Sequence, residues 1–407
     1  MYRVLNKQKC WKLIFTYTRF SQSPLYAISI LLMVNESVEN AAFIAIRTSI
    51  SMAVYAICTW GIVQYYLKLR ADGKNKELAS NNWTFLSLLI SILAVCILMA
   101  FSIIFEISNS IIIYSFFYVL INLFIERNRA KGLWKNSSVV TISIDAHIVF
   151  IYSIHLYYTK LEFVSIGDLS FYISLFILCP LILIAMTLEY YRSYKISIYV
   201  DLFKNKKILI YFWFASITTL LLGEFVTLGA ANFGDKEIIL VSLALKAASI
   251  IILPLTIAMV ISGPKLAGML YENNSKIKRE IGRVGLITNK LSLLIFTVML
   301  AFNLYYSFNY DFNYLIIIPI MVAAYINSAT GLCSLLLNIT GKEKNVFIFQ
   351  LQGGLISFFF VMLGVYFTTV FLLTLGVAIG IIYTNIRMFT FALLLGTNTS
   401  GLRYFNE

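Results

Sequence analysis

Along this chain long apolar runs alternate with short polar breaks, and the runs set its organisation. Stretches of 18 or more apolar residues recur, each long enough to cross a hydrocarbon core of about 30 Å as a helix. A membrane barrel would instead show strands of about 10 residues with alternating polarity. The pattern predicts an all-α membrane protein with twelve spans. They lie at approximately 14–34, 39–66, 83–106, 110–125, 137–158, 169–191, 208–228, 238–261, 284–306, 313–337, 345–367 and 370–395.

Composition agrees: 60% hydrophobic, 13% charged and a mean hydropathy of +0.84 exclude a soluble domain of this length. A net charge of +13 invites a nucleic-acid reading, but the distribution of the bases argues against one. Of 32 Lys and Arg, only Lys160 and Lys236 fall in the loops of one side, and Arg19, Arg47, Lys246 and Arg387 fall within spans. The other 26 occupy the opposite loops, the start of the ninth span (Lys290) and both termini. The positive-inside rule therefore makes both termini cytoplasmic. The basic connection 192–207 divides the chain into an N-terminal lobe, 1–200, and a C-terminal lobe, 201–407, of six spans each. The N-terminus resembles a signal peptide, but Arg19 interrupts the apolar run and no small-residue cleavage site follows, so an uncleaved first helix is expected. The five cysteines show no close pairing and are expected to be reduced.

Polar residues inside the spans are the candidate chemistry. An Arg or Lys at the bilayer centre costs roughly 2.5–3.5 kcal/mol on insertion scales, so it normally faces a wet cavity or an anion. Arg47 lies about 12 Å into the second span and Lys246 at a similar depth in the eighth. Arg19, near a kink expected at Pro24, is shallow enough to snorkel to the interface. Asp145 and His147 point about 200° apart around the fifth helix and cannot ligate one ion together. Asp145 either pairs with Arg19 or Arg47 or serves proton or cation coupling, and both readings stay open. Glu224 sits near the outer end of the seventh span, where water explains a carboxylate cheaply. Gly376 and Gly380 read as a helix-packing pair.

The halves show signs of duplication. Arg47 precedes Lys68 by 21 residues and Lys246 precedes Lys265 by 19; each exit lysine opens a Lys-Leu pair, and LSLLI follows at 86–90 and at 291–295. Two parallel copies would place the second and eighth helices across a central cleft.

Three stretches carry a family resemblance: GPKLAGMLYENN at 263–274, NSATGLCSLLLNITGKEKN at 327–345 and NIRMFTFALLLGTNTSG at 385–401. With these the chain resembles the lipid-linked oligosaccharide flippases, Wzx-type O-antigen translocases above all, of the multidrug/oligosaccharidyl-lipid/polysaccharide (MOP) exporter superfamily. The first half shares mainly Arg19, Arg47 and Trp60-Gly61, and lacks the glycine-rich opening and Leu-Gly-Pro segment of many members. The resemblance implies a MATE-like V-shaped bundle of two lobes working by alternating access in the bacterial cytoplasmic (inner) membrane, as a monomer. It implies a substrate of undecaprenyl diphosphate bearing an O-antigen or similar repeat unit, with Arg19, Arg47 and Lys246 toward the diphosphate; Arg387, on the last helix, is a further candidate for the same role. Asp145, His147 and Glu224 are then candidates for proton or Na+ coupling. No cofactor or metal is implied; the partners are membrane lipids and polysaccharide-assembly proteins such as the polymerase, and no nucleic acid.

Two other classes compete. A cation-coupled drug antiporter of MATE type needs acidic residues for cationic substrates, and the interior here is mainly basic. A membrane polysaccharide polymerase, an enzyme, needs a sizeable outer loop, and none here exceeds about 10 residues. No GxxxxGK[ST] loop for nucleotide appears, so the chain is expected not to be an enzyme or a direct user of ATP.

Overall fold

The structure, a computed structural model, describes residues 2–34, 36–58, 96, 109–130, 145–160, 180, 206–269, 274–310, 314–397 and 399–400. Their regular structure is entirely helical: α1 (Tyr2–Val34), α2 (Val38–Cys58), α3 (Asn109–Ala130), α4 (Asp145–Thr159), α5 (Lys206–Leu221), α6 (Glu224–Ala230), α7 (Asp235–Met269), α8 (Asn274–Tyr310), a 3-10 turn (Tyr314–Ile316), α9 (Ile318–Thr330), α10 (Cys333–Ile339), α11 (Glu343–Tyr366) and α12 (Val370–Leu394). The spans expected at 83–106 and 169–191, and the first LSLLI copy, lie outside the described residues except for Cys96 and Pro180.

Five described helices are long and apolar enough to cross a membrane, and α5 with α6, bent by 41°, makes a sixth. The helix α8 shows why lipid rather than water surrounds them. Ile287, Leu291, Leu294, Val298, Phe302 and Tyr305 form an exposed stripe at helical spacing, while Thr288, Asn289 and Ser292 are buried. That inverts the pattern of a soluble helix, whose apolar stripe faces the core. In hydrocarbon the polar side chains turn inward, and one of them meets a neighbouring helix: the Ser292 hydroxyl lies 2.6 Å from that of Ser328 on α9. The protein is a multi-pass membrane protein.

The chain divides into two compact units, one of Met1–Arg70 with Lys74–Ile217, the other built on Thr218–Glu407. In the first, α1 packs on α4 and α2, and α2 packs on α3. At one end of the α1·α4 pair Lys160 Nζ stands 4.0 Å from Glu36 Oε1, so the loops that follow these two helices share a face.

In the second unit α11 and α12 form the tightest pair. Gly353 and Gly380 stand where the helices cross: a Cβ on either would come within 2.5–2.6 Å of the other's carbonyl oxygen. A Cβ on Gly376 would overlap the Phe360 side chain, and Ser357 Oγ donates across the seam to the Gly376 carbonyl at 3.2 Å. Gly376 and Gly380 are therefore packing residues, as the small-xxx-small spacing implies.

The expected tenth span, 313–337, is not one continuous helix. It comprises the 3-10 turn, α9 and α10, interrupted at Gly331 with φ 75° and ψ −148°, a region that only glycine occupies cheaply. The expected eighth span, α7, also runs past its expected exit at Lys265, to Met269. The three stretches that carry the family resemblance meet in this unit. Leu266 from the first, Leu332 and Leu336 from the second and Ala392 from the third form one buried cluster with Leu255 and Ile281.

Candidate functional site

The first unit builds its best-defined polar site around Arg47. This residue is nine positions into α2, about 14 Å along the axis, and its side chain is 0% exposed. Its Cζ lies 4.2 Å from the centroid of the Tyr114 ring on α3, a cation–π contact worth about 2 kcal/mol when desolvated. One turn further on, the Ser51 hydroxyl lies 2.8 Å from the Arg47 carbonyl and 2.9 Å from the Ser115 hydroxyl. One turn beyond that, Tyr55 and Tyr118 meet edge to face at 6.3 Å, and the Tyr118 hydroxyl donates to Met52 Sδ. Arg47, Ser51 and Tyr55 thus share one face of α2, matched by Tyr114, Ser115 and Tyr118 on α3.

The serine pair offers a modest, checkable effect. Interhelical hydrogen bonds in membranes average about 0.6 kcal/mol. A cycle of Ser51→Ala, Ser115→Ala and the double variant, followed by thermal unfolding in detergent, is expected to give a coupling of about that size.

Hydropathy alone reads the span at 110–125 as scaffold and so misses Tyr114. A signal is present in the sequence: Ser115, Tyr118 and Asn122 recur at three- and four-residue spacing, marking one polar face in an otherwise apolar run.

The other expected site residues are spread through the fold. Lys246, half-buried on α7, belongs to the second unit. Arg387 on α12 is exposed, with its guanidinium 5.3 Å from the Phe349 ring centroid, and Phe349 in turn meets Phe391 edge to face. Arg19 lies mid-way along α1, because that helix begins at Tyr2 rather than near residue 14. Its side chain and that of Asp145 lie outside the described residues; Asp145 is the first described residue of α4. His147 joins α4 to α1, its Nε2 3.3 Å from the Ser21 hydroxyl. Glu224 is half-buried and opens α6, just past the bend at Gly223. Cys10, Cys96 and Cys333 are free thiols. Among the described residues no group of three His, Cys, Asp or Glu could hold a metal ion.

No protein-family model matches the sequence, and no curated protein does. Solved structures do match over nearly the whole chain. The eukaryotic MATE transporter AtDTX14 superimposes with a TM-score of 0.67 at 14% identity, over 99% of this chain and 98% of its own. An outward-facing multidrug resistance MATE family transporter of the MOP superfamily gives 0.62 at 13% identity, over 95% and 96%. A MOP superfamily transporter from Pyrococcus furiosus gives 0.58 at 13%, again over 95% and 96%. At such identities the likeness speaks for architecture: this chain has the MATE transporter fold.

Proposed function

We propose that the protein is a flippase, moving an undecaprenyl-diphosphate-linked oligosaccharide from the cytoplasmic to the outer leaflet of a bacterial inner membrane by alternating access. The observation that carries this reading is Arg47, a fully buried guanidinium deep in a membrane helix. A diphosphate entering hydrocarbon needs its charge neutralised; a guanidinium offers a fork matched to phosphate oxygens, and Lys246 a point charge. Arg19 and Arg387 add to the same sign, so away from the ends of the helices these four bases stand against Asp145 and Glu224.

The fold supports a transporter over an enzyme, since its neighbours are transporters. One of them is a multidrug resistance transporter, which makes cation export the reading to beat. A cationic drug requires carboxylates, and Asp145 and Glu224 are outnumbered here. For the Pyrococcus furiosus neighbour, a binding pocket of reverse polarity suggests a different function.

The test is reconstitution of the full chain into proteoliposomes carrying an undecaprenyl-diphosphate-linked saccharide in the inner leaflet. Protein-dependent appearance of the saccharide to an external lectin is the expected result. Failure to move it, together with proton- or sodium-driven uptake of an organic cation, would establish the antiporter reading instead.

A further inference from the structure

Past the end of α12 the chain turns back into the second unit. Gly396, at φ +71°, allows the reversal, and the Thr397 amide donates to the Ala392 carbonyl. The residues after the reversal are polar, yet Thr397, Thr399 and Ser400 are all buried, Thr399 completely. The seat for this segment is made by glycine. A Cβ on Gly285 of α8 would overlap the Thr399 carbonyl oxygen, and so would a Cβ on Gly331 at the interruption between α9 and α10. The Thr399 hydroxyl donates to the Thr330 carbonyl at 2.6 Å, and Cys333 Sγ, at the first residue of α10, lies 2.8 Å from the same hydroxyl.

The interruption gives this arrangement its meaning. A helix broken at Gly331 has carbonyls near the break that lack their usual intrahelical donors, and a buried carbonyl must find a partner. Thr399 supplies one to Thr330. The segment also bridges α8 to both sides of the break, so its presence fixes the angle at the one residue whose backbone is freest to turn. Hinge and latch occupy the same place. Thr399 holds by hydroxyl contacts and shape, with no charge pair of its own, and such a hold can be undone and remade.

The geometry points to a releasable strap: the segment carrying Thr397, Thr399 and Ser400 seats through Thr399 in the Gly285–Gly331 cradle to lock α10 against α9, and leaves it to let α10 swing about Gly331. This goes beyond the flippase reading and does not depend on the identity of the cargo.

The test uses the full chain in detergent with Cys10→Ser, Cys58→Ser, Cys96→Ser and Cys179→Ser, so that Cys333 is the only thiol. Cys333 is shielded while the strap is seated, and its rate of modification by N-ethylmaleimide reports release. Gly285→Ala suits a helix interior but collides with the Thr399 carbonyl, and is expected to raise the rate at least tenfold. Thr399→Ala, which removes only the hydroxyl contacts, is expected to raise it severalfold and serves if the first variant does not fold. Rates unchanged in both would overturn the proposal. In a second arm Thr399→Cys is oxidised with copper phenanthroline, the two thiols losing two protons and two electrons to dissolved oxygen to form a disulfide. No cross-link would refute the seated position. A cross-linked protein that transports at the wild-type rate would refute the need for release; the expected result is arrest, reversed by dithiothreitol. A chain that proves not to be a flippase leaves the labelling result standing.

Discussion

Replacing Arg47 by leucine is expected to abolish most export while leaving the protein folded. Two opposite effects meet at this residue. The substitution removes the contact with Tyr114, 4.2 Å away, but it also removes a charge from a wholly buried position. Such an exchange is cheap only where no partner is left buried and uncompensated, a loss of about 3–5 kcal/mol, so the melting temperature is the control for every export measurement. A charge-assisted hydrogen bond contributes about 1.5–3 kcal/mol, and each 1.4 kcal/mol is a factor of ten. Loss of one such bond to the diphosphate therefore predicts export lower by about tenfold to a hundredfold, with Arg47→Lys intermediate because the fork is lost and the charge kept. Surface glycan per molecule of protein is the measurement. Full export by Arg47→Leu combined with Lys246→Ala would remove the basis of the proposed mechanism, whereas lost export with a lowered melting temperature would mark Arg47 as structural.

The largest expected effect on stability lies at the crossing of α11 and α12. Gly380 faces the Gly353 carbonyl, the Ser357 hydroxyl and Leu222 at distances that leave no room for a side chain. Overpacking a rigid core costs typically 1–3 kcal/mol, which sets the expectation for Gly380→Ala. Gly380→Val must separate two backbones and is expected to prevent accumulation of folded protein. Ile386→Ala, on an exposed position of the same helix, should lie within about 0.5 kcal/mol of wild type. Thermal unfolding in one detergent would rank the three, and equal melting temperatures would contradict the close crossing.

How much of the molecule was legible in its sequence depends on which forces act along the chain and which act across it. Hydrocarbon thickness acts along it, and the runs at 345–367 and 370–395 return as Glu343–Tyr366 and Val370–Leu394. Helix ends in water obey different rules. The run at 284–306 belongs to a helix extending over Asn274–Tyr310, because Lys, Arg and Glu propagate a helix beyond the lipid that hydropathy detects. The run at 238–261 instead continues to Met269 through Gly263, Pro264 and Gly268, against propensity, with Leu266 held in a buried cluster. The break at Gly331 was hidden for the converse reason. Hydropathy runs on across it, and glycine is ordinary in membrane helices, so nothing nearby says that this one turns. Depth made Arg47 legible as a candidate, whereas Tyr114, its ring partner, stands on another helix and is found only when α2 and α3 are packed. The convergence of three distant stretches on Leu266, Leu332, Leu336 and Ala392 is likewise a property of the assembled unit.

The inverted polarity of α8 bears on how the chain is made. Its apolar exterior lets it partition into the bilayer as it leaves the insertion machinery, but Ser292 is then made ahead of its partner on α9. Ser328 emerges 36 residues after Ser292, so α8 must either wait beside the insertion channel or shelter its hydroxyls on its own backbone until α9 arrives. The Ser292–Ser328 contact is thereby a late event in the making of this half, closed only after α9 has been synthesised.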